Sequence, residues 1–292
     1  MPELPDIDVY VARLEERVTG QALKQVRIAS PFLLRTVEPP LAAGNGRTVS
    51  GVKRIGKRIA IGLEGEYWLV LHLMIAGRLH WHESRTSPRG RSHLAIFEFS
   101  SGSLSLTEAG SKKRASLHFV HGVDALAAQD PGGIEPLLCS IAEFADRLVS
   151  ENRTLKRALT DPRKFSGIGN SYSDEILHAA KLSPVALTLK LDRAEQQRLY
   201  DAMRAVLGTW RDRLMADSAG RFPGKVTAFR DGMAVHGRYG KPCPDCGAAV
   251  QRIRYKSNET NYCPRCQSRG KLLADRALSR LLKSDWPGRI AE

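Results

Sequence analysis

The chain opens Met1-Pro2-Glu3-Leu4-Pro5-Asp6. Removal of the initiator methionine, which the small Pro2 side chain allows, exposes a secondary amine beside a carboxylate. Such an amine is a nucleophile for an electrophilic carbon such as C1′ of a sugar, and the carboxylate is the acid/base partner that this chemistry needs. The bland alternative is a start codon followed by a helix with acidic first-turn residues. Leu4, Ile7, Val11, Leu14 and Val18 recur at spacings of three and four with Pro5 at the front, so the spacing predicts a helix directly after the pair. Pro2 and Glu3 then stand at the positive end of its dipole, which disfavours protonation of the amine and stabilises an anion such as phosphate.

A second constellation is the cysteines. Cys243-Pro244-Asp245-Cys246 is followed, after sixteen intervening residues, by Cys263-Pro264-Arg265-Cys266. Two such pairs can close a tetrahedral site for one Zn2+, each pair a knuckle at one end of a hairpin. Two disulfides are the competing reading, a poor one in a reducing cytosol. Four thiolates leave no open position for water, so the metal is structural. Cys139, in Leu137-Leu138-Cys139, is a buried thiol. Between the knuckles lie Arg252, Arg254, Tyr255 and Lys256, positive charge suited to a phosphate backbone.

A third is the run Phe165-Ser166-Gly167-Ile168-Gly169-Asn170 ahead of Asp174-Glu175-Ile176-Leu177-His178. A Gly-x-Gly turn leading into a helix leaves backbone N–H groups open to phosphate, with the Asn170 amide as a further donor. Gly-Ile-Gly alone is common in loops; it gains meaning beside a basic chain. Lys and Arg outnumber Asp and Glu by 45 to 31, a net charge of +14, which implies a polyanionic partner.

These residues must be positioned by ordinary elements. With 292 residues and 42% hydrophobic content, the chain suffices for two or three modules with cores and has no long apolar run, so no membrane span is expected. No signal peptide is recognisable, which places the protein in the cytoplasm, at the nucleoid if the source is bacterial. Runs such as Trp68 to Leu73, between Arg58 and Trp81, read as strands, and Ile96-Phe97-Glu98-Phe99 with Leu104-Ser105-Leu106-Thr107 as a hairpin turning at Ser100 to Ser103. That is the pattern of an antiparallel sandwich or barrel. Beyond Asp130-Pro131-Gly132-Gly133 and Pro136 the periodicity turns helical, most clearly at Leu199, Met203, Val206, Leu207, Trp210 and Leu214. Leu273, Ala277, Leu278, Leu281 and Leu282 predict an amphipathic helix over 272–283, halted before Trp286-Pro287 and packed on the cysteine module.

Taken in order, Pro2-Glu3-Leu4-Pro5, Gly56-Lys57-Arg58, His72-Leu73 before Gly77, Gly167-Ile168-Gly169-Asn170, Val235-His236-Gly237-Arg238 and the four cysteines resemble the formamidopyrimidine-DNA glycosylase and endonuclease VIII family over positions 2 to about 267. The resemblance implies an α+β multidomain fold. A catalytic N-terminal helix and β-sandwich would cover 1–135, a helix-two-turn-helix DNA-binding domain 136–228, a zinc-finger hairpin 229–270 and a C-terminal helical extension 271–292, with DNA in a basic cleft between the halves. It implies a base-excision-repair DNA glycosylase with abasic-site lyase activity on oxidised bases. Pro2 would attack C1′ and Glu3 would give and take protons. Loss of the base leaves an iminium that acidifies the C2′ proton, so elimination cuts the strand. Lys57 and Asn170 would hold phosphates that keep the flipped nucleotide in place. A solvated surface lysine and a packed histidine are the plain readings of Lys57 and His72. Damaged DNA is the expected partner, with no small-molecule cofactor and a monomeric protein. The alternative is a non-catalytic binder of distorted or abasic DNA, which would need neither Pro2 nor Glu3.

The chain departs from the family pattern in ways that bear on lesion choice. Thr107 to Ala115 supplies Lys112, Lys113 and Arg114 but no aromatic wedge for the stack, and the inserting methionine corresponds to Ile75, beside Met74. Five positions before the third cysteine the usual phosphate-gripping arginine is Asn258, an uncharged and weaker donor. The segment Ala216 to Thr227 is shorter than the loop that covers 8-oxoguanine in the purine-specific branch.

Overall fold

The computed structural model describes residues 1–88, 90–224, 226–227, 229–255, 258–274, 276–285 and 287–290, with 276–278 and 285 described by backbone alone. Lys256 and Trp286, named above, lie outside the described residues. The chain clusters into two units: residues 1–131 with 210–227, and residues 132–209 with 228–292.

In the first unit, helix α1 (Leu4–Val18) forms where the apolar spacing predicts it. Ile7, Tyr10, Leu14 and Val18 are buried along one face and join the main core cluster. Each such side chain contributes about 1.5–3 kcal/mol by leaving water. That core lies between two four-stranded antiparallel sheets. One has the order β1-β6-β7-β5, from β1 (Leu23–Ile28), β5 (Gly77–His82), β6 (His93–Phe99) and β7 (Gly102–Glu108); the other has the order β2-β3-β4-β8, from β2 (Val49–Ile55), β3 (Arg58–Leu63), β4 (Tyr67–His72) and β8 (Ser116–His121). Phe97, Phe99, Leu104 and Leu106 of one sheet share the cluster with Ile59, Ile61, Leu69, Leu71, Leu117 and Phe119 of the other, which makes the unit a β-sandwich. The 96–107 hairpin is present, with Phe99 opposite Gly102, so its turn narrows to Ser100-Ser101. Strands β1, β2 and β8 carry Lys24, Arg27, Lys53, Arg54 and His118 among their apolar residues, and this interleaving hides them from periodicity.

A short helix, α2 (Val123–Ala127), follows the sandwich. Residues 210–227 pack on the same unit. Arg13 donates to Ser218 Oγ at 3.2 Å and to the Met215 carbonyl at 3.1 Å, the Phe222 ring lies 5.7 Å from Tyr10, and Val226 is buried in the sandwich core.

The second unit holds α3 (Ile141–Val149), α4 (Leu155–Thr160), α5 (Asn170–Ala179) and the first part of α6 (Arg193–Asp217). Ser140 and Glu143 close a reciprocal capping box at the start of α3. Along α6 the predicted face is buried at Leu199, Met203, Leu207, Trp210 and Leu214 and partly buried at Val206. Strands β9 (Gln251–Arg254) and β10 (Glu259–Tyr262) pair antiparallel, followed by α7 (Pro264–Ser268) and α8 (Arg276–Leu282).

The C-terminal extension corrects the expectation of one amphipathic helix over 272–283. The helix starts at Arg276, and Leu273 before it is buried with Ile253 and Tyr262 of the hairpin, its N–H donating to the Tyr262 hydroxyl at 2.8 Å. Leu281 is 77% exposed and Leu282 37%, so the helical apolar spacing does not mark a buried face at that end. Leu272, where the helix was expected to begin, instead donates its N–H to the Gly288 carbonyl at 3.1 Å, and Leu273 packs on the hairpin. Among the described residues no helix is long and apolar enough to cross a membrane.

Candidate functional site

Glu3 caps α1. Its backbone is extended, and it shares a capping box with Asp6, whose Oδ2 accepts the Glu3 N–H at 2.8 Å. The box satisfies orphan donors of the first turn, so both carboxylates sit where the helix dipole favours them. Glu3 is 1% exposed, Asp6 4%, and Pro2 is buried. With Met1 in place the Pro2 nitrogen is an amide, so the Met1 amine is the group that registers the surroundings. Burial lowers its pKa from the ordinary 8.0, Glu3 and Asp6 oppose that, and Arg78 and Lys57 reinforce it. Glu3, Asp6, Arg78 and Lys57 thus all lie within electrostatic reach of the N-terminus, Asp6 and Arg78 being residues that sequence reasoning missed.

Lys57 stands on the two-residue turn between β2 and β3, where Ile55 faces Arg58. Gly56 leads that turn with φ +60°, a value that glycine adopts freely and that glycine-first hairpin turns require. Arg54 steadies the turn, donating to the Gly56 carbonyl at 3.2 Å and to Asp8 of α1 at 2.6 Å.

Ile75 lies on the turn between β4 and β5 and is 55% exposed; Met74 beside it takes φ +51°. The turn closes through Gly77 N–H to the Leu73 carbonyl at 2.9 Å, and a Cβ on Gly77 would lie 2.3 Å from that oxygen, so only glycine fits. Arg78 binds the carbonyls of Ile75 and Gly77 at 3.2 and 2.7 Å. His72 is a packed histidine with a job: its Nδ1 accepts the Met74 N–H at 3.0 Å. Burial, with Arg58, Lys57 and His118 adding to it, pushes its pKa from 6.5 down to about 4, so the ring is a neutral acceptor at pH 7.

Lys112, Lys113 and Arg114 lie on the connection from β7 to β8. The buried Glu108 carboxylate gathers this loop, one oxygen accepting the N–H groups of Arg114 at 2.8 Å and Ala115 at 3.1 Å, while Lys113 folds back onto the Glu108 carbonyl. Lys112 and Arg114 are exposed.

In the second unit, Gly167 and Gly169 are buried, Gly167 with φ +77°, and Asn170 opens α5 half-buried. The Asn170 amide donates to the Glu259 carbonyl of β10 at 2.9 Å, which commits one N–H and leaves the amide a second. Asn258 is exposed, and its carbonyl closes the hairpin by accepting the Tyr255 N–H at 2.8 Å. Lys156 was missed by sequence reasoning: it is buried, binding the Asn170 carbonyl and Asp174, which in turn meets His236 Nδ1 at 2.8 Å. Glu175 accepts the N–H groups of Ala234, Val235 and His236. These buried polar pairs had no local signal in the sequence.

Cys243, Cys246, Cys263 and Cys266 converge with all four sulfurs within 4.8 Å of one another. The Cys243–Cys266 and Cys246–Cys263 sulfur distances are 3.9 and 3.4 Å. Zinc bound tetrahedrally with Zn–S bonds of about 2.3 Å sets its sulfurs about 3.8 Å apart, so the residues fit one structural Zn2+.

Three family models match in order: the formamidopyrimidine-DNA glycosylase N-terminal domain at residues 1–115, the formamidopyrimidine-DNA glycosylase H2TH domain at 133–210, and the zinc finger found in FPG and IleRS at 240–269. The formamidopyrimidine-DNA glycosylase of Heliobacterium modesticaldum is 34% identical over 281 residues, covering 91% of this chain and all of that protein. A Mycobacterium tuberculosis protein described as an uncharacterized formamidopyrimidine-DNA glycosylase-like protein is 42% identical over 151 residues, 52% of this chain and 94% of its own length. Among solved structures, a Lactococcus lactis FPG mutant in complex with a Fapy-dG-containing DNA superposes with a TM-score of 0.80 at 24% identity, covering 91% of this chain and 100% of that one, a likeness of fold. With three family domains in sequence and a full-length relative at this identity, the chain belongs to the formamidopyrimidine-DNA glycosylase family.

Proposed function

We propose that this chain excises oxidised bases from DNA and cuts the resulting abasic site, with the Pro2 amine as nucleophile. Membership of the family makes it a DNA glycosylase of base-excision repair, and lyase chemistry through a Schiff base fits that family. The observation that carries the reading is the buried Glu3 carboxylate at the helix cap, next to the buried Pro2 whose nitrogen becomes the N-terminal amine once Met1 is removed.

Once Met1 is removed, the Pro2 lone pair attacks C1′ and the C1′–N bond to the base breaks, the base leaving with a proton from Glu3; Glu3 then takes the proton of the Pro2 nitrogen and gives it to O4′ as the C1′–O4′ bond opens, which leaves a ring-opened iminium. The iminium that remains draws electrons from C2′; loss of the C2′ proton expels the 3′ phosphate and severs the strand. Lys57, from its hairpin tip, meets phosphate next to the reacting sugar. Asn170, with Asn258 on the hairpin, takes phosphate in the second unit. Lys112 and Arg114 meet phosphates or the vacated stack, and Ile75 is the apolar plug. Zinc supplies no chemistry here; Cys243, Cys246, Cys263 and Cys266 hold it to keep the hairpin folded. The protein acts in the cytoplasm, at the nucleoid if its source is bacterial.

Borohydride trapping on a duplex with one abasic site tests the reading. The expected product is a covalent adduct that peptide mass spectrometry maps to Pro2. Binding without any adduct would instead mark a non-catalytic binder of abasic DNA, and an adduct at a lysine would remove Pro2 from the mechanism.

A further inference from the structure

One stripe of α5 is polar along its whole length, and every side chain on it reaches the zinc module. Asn170 binds the Glu259 carbonyl, Asp174 meets His236, Glu175 gathers three backbone N–H groups at 234–236, and His178 places Nε2 3.3 Å from Cys243 Sγ. Asn170, Asp174 and His178 are four residues apart, one face of the helix. His178 is 3% exposed, among the apolar neighbours Ile176 and Leu177. Just past the helix Lys181 pairs with Asp245, which sits between the two cysteines of the first knuckle.

A buried polar ring costs stability unless it is hydrogen-bonded, and this one has a particular partner. A cysteine bound to zinc is a thiolate with no proton to give, so the contact has one direction: Nε2–H donates and sulfur accepts. Four thiolates around one dication carry a net charge of minus two, an excess that buried surroundings disfavour unless donors and cations meet it. His178 supplies the donor and Lys181 a cation.

We propose that His178 is a positioning residue for the zinc centre. Its bond to the Cys243 thiolate holds the ligand in place and slows metal loss, and α5 ties that bond to the Gly167–Asn170 turn at its other end. The proposal goes beyond the glycosylase reading and stands independently of the roles given to Pro2 and Glu3.

Zinc-loaded full-length protein is challenged with a colorimetric chelator, comparing wild type, His178→Phe and His178→Gln. The phenylalanine fills the space and lacks the donor, so zinc should leave about 10- to 100-fold faster, the usual cost of losing such an outer hydrogen bond. The glutamine keeps a side-chain N–H and should stay near wild type. In cobalt-substituted protein the thiolate-to-metal charge-transfer band of His178→Phe should move to lower energy, since a thiolate without its donor gives up electrons more readily. Wild-type release by His178→Phe, or equally fast release by both variants, overturns the proposal. Should the phenylalanine protein not fold, 15N spectra of zinc-loaded wild type decide: a proton on Nε2 of His178 supports the bond, and a bare Nε2 refutes it.

Discussion

Arg54 and Asp8 meet at 2.6 Å, and the same guanidinium binds the Gly56 carbonyl at 3.2 Å. The helix that Glu3 caps and the turn that carries Lys57 are thereby held by one planar fork, a geometry that lysine does not reproduce. Arg54→Lys should therefore trap abasic DNA at least severalfold more slowly than wild type. Arg54→Met, which removes the charge-assisted bond to Asp8, should cost about 1.5–3 kcal/mol of stability. Urea unfolding together with single-turnover trapping checks both; wild-type trapping by the two variants would separate the turn from catalysis.

Glu3→Gln tests the proton carrier. Excision of a good lesion should fall by roughly 100-fold or more, while DNA binding persists and preformed abasic sites are still nicked. Because Glu3 also caps α1, a cost of about 1 kcal/mol in stability is expected beside the catalytic loss. Melting curves distinguish the two effects, and unchanged excision would refute the assigned role.

The neutral His72 ring makes stability depend on pH. Its pKa is depressed to about 4 in the folded protein against an ordinary 6.5, so below pH 6.5 the unfolded chain takes up the proton first. This contribution is complete above about pH 6.5, declines as pH falls and is gone below about 4. Urea midpoints between pH 7 and pH 4.5 should fall less in His72→Gln than in wild type. A His72 that titrates near 6.5 in the folded protein would contradict this.

Zinc removal should act locally. Chelation or Cys263→Ser is expected to unfold the hairpin from Lys241 to Gly270 and weaken DNA binding, while the sandwich, with its own core, keeps its amide protection. Metal analysis giving no zinc in purified protein, or full DNA binding by Cys263→Ser, would count against the assignment.

Lesion preference follows from the loop that Glu108 gathers. It offers Lys112 and Arg114 but no ring to wedge beside the unpaired base, so discrimination by the opposite base should be weak. The short segment from Ala216 to Thr227 is expected to supply no lid over a flipped purine. Abasic sites and oxidised pyrimidines, in single strands and mismatches too, should be cut at least as well as 8-oxoguanine opposite cytosine. Single-turnover rates on such a panel check it. A strong preference for 8-oxoguanine, collapsing when adenine replaces cytosine, would show the loop to be misread.

What could be read in the sequence was local. The α1 face from Leu4 to Val18, the 96–107 hairpin and the paired CxxC motifs are each set by spacings within one segment, where a period of 3.6 or 2 or a knuckle spacing suffices. Pro2, Glu3 and the zinc ligands stood out for the same reason. Arg54 with Asp8, Asn170 with Glu259 and His178 with Cys243 are separated by 46, 89 and 65 positions, and no local pattern connects them. The extension shows the converse: Leu273 fits a helical spacing, yet a place against Ile253 and Tyr262 kept it out of the helix. Periodicity says which face of an element is apolar; which polar groups meet across elements depends on strand register and on burial that leaves each donor needing an acceptor, and only the folded chain decides that.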